Sequence, residues 1–448
     1  MSDDCPTVLV IFGGTGDLFR RKLAPSLMTL YEEKKLPKNL LIIGTGRSEY
    51  SNEAYKKFVS DAISEILTVE ASEDFLRHFS YISGELHEKT FYKSIENAVT
   101  TYEQVLGCDS RIVWYCSIAP QFYADIAEAI HTHTTFLKRS QPMNSLLIEK
   151  PIGHDTTSCV ELNVSLTKYF EESQITRIEH YLTKETLLSL PEYFTQHPEV
   201  YSLLQAESVA HMAVYFCETI GVEKRGAFYD SVGALRDVGQ NHALEMLAHA
   251  CMEYTHHDTA DSRINARIEF LSCLAKTSQS VIKGKRLQYN GYLSIPGVRP
   301  HSAVETAYEV SGILPQGRWN NVPFSLLGGK RVGKKKKCVE LVMRDHIMHD
   351  SKSLTKIVIS IDPESVSLIY SDSTESTFQF RPHHKPKYQY VEEYARILEA
   401  GFHGSHAYSV SAQEVLLLWK ITDAYTTHFE QHKIPLTIYE PDTYPFSH

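Results

Sequence analysis

Four stretches of the chain gather ionisable side chains more densely than a solvated surface needs. Arg177-Ile178-Glu179-His180-Tyr181-Leu182-Thr183-Lys184 sets His180 and Lys184 four apart and Tyr181 and Lys184 three apart. On a helix these three would share one face, and three such donors converging would hold a phosphate. Arg236-Asp237-Val238-Gly239-Gln240-Asn241-His242 opens a helical stretch in which Asp237, Asn241 and Glu245 recur every four residues beside His242. Glu149-Lys150-Pro151 directly follows an apolar run. The fourth stretch, Gly329-Lys330-Arg331-Val332-Gly333-Lys334-Lys335-Lys336-Lys337, is basic in an acidic chain; such a run is either solvated surface or, beside glycines, a receptor for an anion.

A different chemistry is written near the start. Gly13-Gly14-Thr15-Gly16-Asp17-Leu18 follows the apolar run Thr7 to Phe12 and opens a helical segment. Glycines there let the backbone approach a pyrophosphate, and the first N–H groups of the helix point at it. The order departs from GxGxxG, so the cofactor assignment leans on a second segment, Gly44-Thr45-Gly46-Arg47-Ser48. It places a cation where NAD enzymes place an acid for the ribose hydroxyls, and Arg47 suits a 2′-phosphate, which points to NADP. No Gly-x-Ser-x-Gly elbow and no Walker loop occurs, which sets aside serine hydrolase and P-loop chemistry. His131-Thr132-His133 and His256-His257 lack acidic or cysteine partners at ligand spacing, so no metal site is expected.

The elements that must position these groups divide the chain in two. Continuous apolar strands at Thr7 to Phe12, Leu40 to Ile43, His78 to Ile82, Ile112 to Ser117 and Ser145 to Glu149 alternate with helical stretches at Leu18 to Lys35, Asn52 to Glu65, Lys89 to Leu106 and Gln121 to Thr135. That is the pattern of a parallel sheet covered on both faces. Beyond it, alternating segments at Ser208 to Cys217, Arg263 to Phe270, Ala303 to Val310, Lys356 to Ile359, Ser365 to Tyr370 and Thr377 to Phe380 imply an antiparallel sheet with one covered face. Helical patterns return at Gly233 to Met252, Val391 to Ala400 and Ser411 to His428. The expected architecture is α/β plus α+β: a Rossmann-type doubly wound domain over residues 1–176 and a larger domain over 177–448, built on a mostly antiparallel sheet and helices.

Lys and Arg number 45 against 55 Asp and Glu, a balance that argues against nucleic acid as a partner. No apolar run approaches the ~20 residues of a membrane span. Asp3 and Asp4 precede the first apolar run, the reverse of a basic secretory leader, and the cysteines show no CxxC pair. A cytoplasmic protein with reduced thiols is expected.

Taken in order, these residues resemble the glucose-6-phosphate dehydrogenase family. The likeness rests on Phe12-Gly13-Gly14-Thr15-Gly16-Asp17-Leu18 with Arg21-Lys22-Leu23, Tyr115 with Ala119-Pro120, Glu149-Lys150-Pro151-Ile152-Gly153, and Arg177 to Lys184. It continues through Glu218, Arg225-Gly226, Arg236-Asp237-Val238, Gln240-Asn241-His242, Gly291-Tyr292-Leu293, Arg318-Trp319, Val322-Pro323-Phe324 and Gly329-Lys330. The resemblance implies oxidation of glucose 6-phosphate at C1 to the lactone with NADP as acceptor, in a homodimer or homotetramer built through the sheet. It implies that His242 is the general base, that Glu179 orients it, and that Lys150 holds the C1 hydroxyl near the nicotinamide. His180, Tyr181 and Lys184 would hold the phosphate; Glu218, Asp237, Lys330 and Lys335 would fix the sugar and its phosphate. Gly13, Gly14, Thr15, Gly16, Asp17, Leu18, Arg47, Tyr115 and Lys150 would line the cofactor.

The chain departs from the family pattern at several places. Glu179 stands for Asp, His154 for the Arg of Lys-Pro-x-Gly-Arg-Asp, and Leu327 for an Arg three before Lys330; residues 188–204 lack the Leu-Arg-Phe-Ala-Asn and Trp-Asn patterns, and Gly239 replaces an apolar residue. The alternative is a diverged member that binds NADP and sugar phosphate as a sensor with weak or altered turnover. A glucose-fructose oxidoreductase type of enzyme would share the Rossmann start and Glu-Lys-Pro, but not the Arg177 to Lys184 cluster. Because NAD lacks the 2′-phosphate, Arg47→Ala is expected to weaken NADP by ~1.5–3 kcal/mol and leave NAD nearly unchanged. Titrating both dinucleotides against the variant checks this, and equal losses would refute it.

Overall fold

The computed structural model describes residues 5–67, 69–139, 144–254, 259–277, 283–315, 317–380 and 389–446. His256 and His257 lie outside them. The chain folds into two compact units.

In the first unit six parallel strands, β1 (Thr7–Phe12), β2 (Leu40–Gly46), β3 (Phe79–Ser83), β4 (Arg111–Cys116), β5 (Asn144–Ile148) and β6 (Ile175–Ile178), stand in the order β3-β2-β1-β4-β5-β6. β1 is buried at every position, as a central strand covered by helices on both faces must be. The order reverses between β1 and β4, and doubly wound sheets bind ligands at the carboxyl ends of strands beside such a reversal.

The expected boundary at 176/177 falls inside β6 and is corrected by the structure. The first unit continues to Thr183 and regains the helix Gln389–His403 and the short strand Ser409–Val410, which pairs antiparallel with β6. Tyr394, Ile397, Leu398 and Phe402 of that helix share a core with Leu27 and Leu30, and Ser26 donates to the Val391 carbonyl at 2.7 Å. Residues 154–156 group with the second unit. The apolar face of Gln389–His403 is buried by residues some 360 positions away (Ser26 to Val391, separation 365), and no local pattern reports such a partner.

The second unit is built on a sheet containing β7 (Val209–Cys217), β8 (Lys283–Tyr289), β9 (Ala307–Ile313), β10 (Pro323–Gly329) and β11 (Lys336–Met343). From one edge the order is Glu375–Gln379, Glu364–Tyr370, Lys352–Asp362, β11, β7, β10, β9, β8 and Leu436–Tyr439. Most neighbours are antiparallel, as expected, but β7 and β10 run parallel, as do β8 and Leu436–Tyr439. The carboxyl ends of β7 and β10 and the start of β11 therefore lie together, with Gly329 and Lys336 both opposite Cys217.

Arg263 to Phe270 does not form the expected strand: it lies in the helix Ala260–Thr277. Its buried residues, Arg267, Phe270, Leu271 and Leu274, follow helical spacing. The charged and apolar residues of that stretch alternate as well, and buried Arg267, held by Glu414 at 2.6 Å, breaks the assumption that a charge marks the outer face.

Gly239 has a packing reason. A Cβ there would stand 2.9 Å from the Tyr308 hydroxyl, and one on Gly328 would stand 2.6 Å from the same oxygen. The buried tyrosine is wedged between two glycines and cannot swing away. Restoring an apolar side chain with Gly239→Met is therefore expected to cost ~1–3 kcal/mol through overpacking. Thermal unfolding should show the drop, with part of it recovered when Tyr308→Phe removes the hydroxyl in the same chain.

Candidate functional site

The cofactor turn joins β1 to the following helix. Gly13 adopts φ +84°, and a Cβ on it would come within 2.4 Å of the Ser117 carbonyl, so only glycine closes this turn. The N–H groups of Gly13 and Gly14 donate to the Thr45 carbonyl at 3.1 and 2.8 Å, and Gly16 donates to Gly13 at 2.9 Å. Thr15, Asp17 and Leu18 remain at least partly accessible, and Arg47 stands exposed one residue past the end of β2. The Tyr55 hydroxyl braces the turn from beneath, donating to the Gly14 carbonyl at 2.9 Å. A tight glycine turn with a free guanidinium on the adjacent strand end fits a dinucleotide carrying a 2′-phosphate.

At the ends of β4 and β5 the same unit holds a buried polar cluster. Tyr115 is fully buried and donates to Glu149 Oε1 at 2.6 Å; Tyr394 donates to Oε2 at 3.4 Å, and Lys22 lies 4.5 Å above the Tyr394 ring. Burial pushes the Glu149 carboxyl up, against the pull of the Tyr115 hydrogen bond and the Lys22 charge. Burial likewise lowers the Lys22 ammonium, opposed by Glu149 and Glu393. Tyr115 is thus corrected from a cofactor contact to a support: a ring with no exposed surface offers a dinucleotide nothing, and it acts on Glu149, the neighbour of partly exposed Lys150.

The Arg177 to Lys184 cluster does not form the single helix face its spacing suggested. Arg177 is fully buried and forks onto Glu172 at 2.8 and 2.9 Å, so it braces β6. His180–Thr183 form a tight 3₁₀ turn, and Lys184, in extended conformation, stands at the N-cap position of the next helix. Glu179 accepts the Tyr181 N–H at 3.1 Å and lies 3.7 Å from His180 Nδ1. Lys184 opens the second unit, where it offsets part of the burial that raises the Glu364 carboxyl.

The second unit carries the remaining charges. His242 is 4% exposed on the π-helical segment Leu235–Ala243 and stacks on Phe216 of β7, centroids 5.1 Å apart and planes 19° from parallel. Single π turns in helices often mark functional positions. Just past β7, Glu218 pairs with Lys330 through Oε2 and with Lys337 at 3.1 Å through Oε1, while Asp237 lies 3.9 Å from Lys330. Burial alone would raise the Glu218 carboxyl; the two lysines outweigh it and hold the pKa at about 2. Lys335 points elsewhere, half exposed in an ion pair with Asp362. The start of β11 explains why: Lys337 faces with Phe216 and Glu218, and Lys336 takes the opposite face, over the Tyr215 ring and beside Glu340. Among the described residues no cluster of His, Cys, Asp and Glu is arranged to hold a metal ion.

Comparison with known proteins bears directly on this arrangement. Residues 10–188 match the model of the glucose-6-phosphate dehydrogenase NAD binding domain, and residues 198–447 match that of the C-terminal domain. The chain belongs to the glucose-6-phosphate dehydrogenase family. It is 30% identical to a glucose-6-phosphate 1-dehydrogenase of Streptococcus pneumoniae, over 80% of this chain and 74% of the relative. It is 28% identical to that of Leuconostoc mesenteroides, over 98% and 95%. The crystal structure of the Mycobacterium avium enzyme superposes with a TM-score of 0.82 at 25% identity, covering 98% of this chain and 95% of that one.

Sequence reasoning missed four residues that the structure brings into these clusters of the family fold: Lys22, Tyr394, Phe216 and Lys337. Lys22 stood within Arg21-Lys22-Leu23, and its position in a π-helical turn, Phe19–Leu23, was not legible. Tyr394 reaches Glu149 across 245 positions. Phe216 reads as ordinary strand core. Lys337 had a signal, since two-residue alternation along β11 separates it from Lys336.

The Glu218 pKa fixes a pH dependence. Its carboxyl is depressed from 4.5 to about 2 in the folded chain, so its contribution is complete above the unfolded value and is lost as pH falls through that window. Glu218→Gln is expected to destabilise the protein at pH 7 by about 3 kcal/mol or less. The gap to wild type should shrink steadily below pH 4.5; thermal midpoints of both chains from pH 7 to pH 3 would reveal it, and a constant gap would contradict the assignment.

Proposed function

We propose that this protein oxidises glucose 6-phosphate at C1 to 6-phosphoglucono-1,5-lactone and passes the hydride to NADP, the first step of the oxidative pentose phosphate pathway. One observation carries the reading: a buried histidine, stacked and fixed on a π-helical segment, shares its unit with Glu218, Asp237 and Lys330 in a chain whose two halves both match the family.

The C1 carbon releases hydride readily only as its hydroxyl loses a proton, so the site needs a base; imidazole is the natural one, and the role falls to His242. Stacking on Phe216 fixes the plane of the imidazole and hence the direction of its nitrogens. Glu179 carries the counter-charge for the imidazolium that forms, and Lys150 holds the C1 hydroxyl. His180, Tyr181 and Lys184 take the phosphate; Glu218, Asp237 and Lys330 take the sugar hydroxyls, with two charged carboxylates as acceptors and the lysine as donor. Lys335, committed to Asp362, is left out of this set. NADP, when bound, supplies the hydride acceptor; the Gly13 to Leu18 turn and Arg47 hold its phosphates.

The binding-only sensor reading has no observation in its favour, since every acid, base and cation the reaction asks for is present. We further place the protein in the cytoplasm as a homodimer or homotetramer. In support, all eight cysteines are free thiols, and among the described residues no helix is long and apolar enough to cross a membrane.

His242→Asn is expected to cut kcat by ~10²–10⁴ with NADP affinity retained. At Glu179 charge should outweigh length: Glu179→Asp changes kcat by a modest factor in either direction, whereas Glu179→Gln, which removes the counter-charge, costs far more. Steady-state kinetics with glucose 6-phosphate test the pair, and wild-type kcat in Glu179→Gln would remove Glu179 from the mechanism.

A further inference from the structure

The basic run that ends in Lys337 contains one lysine whose placement asks for a function. Lys335 and Lys336 are turned to partners of their own, Asp362 and Glu340, with side chains 53% and 26% exposed. Lys337 is different: its side chain is 8% exposed, 3.1 Å from Glu218 Oε1 and 4.2 Å above the Phe216 ring. Its strand position lies directly opposite Phe216. One ammonium therefore touches both the carboxylate assigned to the sugar and the ring on which the base His242 rests.

Burying a lysine is costly, and burial lowers the Lys337 ammonium in spite of Glu218. A surface strand could solvate the same residue freely. The cost is offset here because Glu218 is also withdrawn from water and, with Lys330 alone, would keep one oxygen without a cation. Two lysines hold one carboxylate from its two oxygens, and such a clamp fixes the rotation of the carboxylate plane as well as its charge. A sugar hydroxyl donating to Glu218 needs that orientation already set before it binds.

We propose that Lys337 is a positioning residue for substrate: by holding the second oxygen of Glu218 it keeps that carboxylate oriented to accept sugar hydroxyls. The inference rests on the reading of Glu218 as a sugar ligand. It makes the glucose 6-phosphate affinity depend on a lysine that no motif marks.

The test is kinetic, on the full-length protein, with K337M, K337R and K335M compared. K337M is expected to raise KM for glucose 6-phosphate tenfold or more and more than K335M does, with KM for NADP within twofold, because the cofactor turn belongs to the other unit. K337R, which keeps the charge, should return most of the affinity. Unchanged KM for glucose 6-phosphate in K337M, or a larger effect in K335M, overturns the proposal; so does an equal rise in both KM values, the mark of a merely structural role. If K337M does not fold, E218Q/K337M takes its place, since it leaves no carboxylate charge behind. It should bind glucose 6-phosphate no worse than E218Q alone, and a further tenfold loss would show that Lys337 acts by another route. Absence of turnover in the unsubstituted chain would instead remove the assigned reaction, and this inference with it.

Discussion

The second unit turns on a carboxylate that stays charged although it is mostly buried. Glu218 can do so only because two ammonium groups reach it, and they reach it because of how three strands are ordered. In an all-antiparallel sheet the residue following β10 would emerge at the far end from the residue following β7. Parallel pairing of β7 with β10 brings Glu218 and Lys330 out together, with the Glu218 N–H donating to the Gly329 carbonyl at 2.9 Å. Antiparallel β11 then starts at that same end. Sheet topology thus does the electrostatic work, and the crossover needed for one parallel pair is what that placement costs in chain connectivity.

The first unit meets a similar problem with the opposite balance. Glu149 also ends a buried strand, but its oxygens accept from two tyrosine hydroxyls, and the charges of Lys22 and Lys150 pull on it less than burial pushes. Burial wins there and pushes the carboxyl up, whereas in the second unit the pair of lysines wins and pulls Glu218 down. The difference lies in the donors: neutral hydroxyls stabilise a buried carboxylate less than hydrogen-bonded cations do. A carboxylate whose pKa is pulled down suits a hydroxyl acceptor, and one pushed up by burial suits a hydrogen-bonded brace beside Lys150.

The departures from the family pattern divide on the same physical grounds. Gly239 is compensated within the unit, since Tyr308 fills the space its missing side chain leaves. Leu327 is fully buried on β10, where an aliphatic side chain belongs to the core. His154 is exposed, 3.6 Å from Asp155. Glu179 is the exception, for it is buried and already engaged with His180 and the Tyr181 N–H. An added methylene there must be absorbed by the turn His180–Thr183 that follows it.

Much of the architecture was legible in the residues themselves. Short apolar runs without alternation, alternating with helical stretches, fit strands covered on both faces, so β1 to β5 followed from local pattern. His242 stood out because so few side chains titrate near neutrality. What the sequence could not supply were relations among distant residues. It misplaced the end of the first unit because Gln389–His403 returns to that core, and it made Arg263 to Phe270 a strand because Arg267 is buried against Glu414. Periodicity records which face a residue occupies, but not which partner waits on that face; strand order and register decide that, because the energy of a buried charge depends on the few ångströms separating it from its counter-ion.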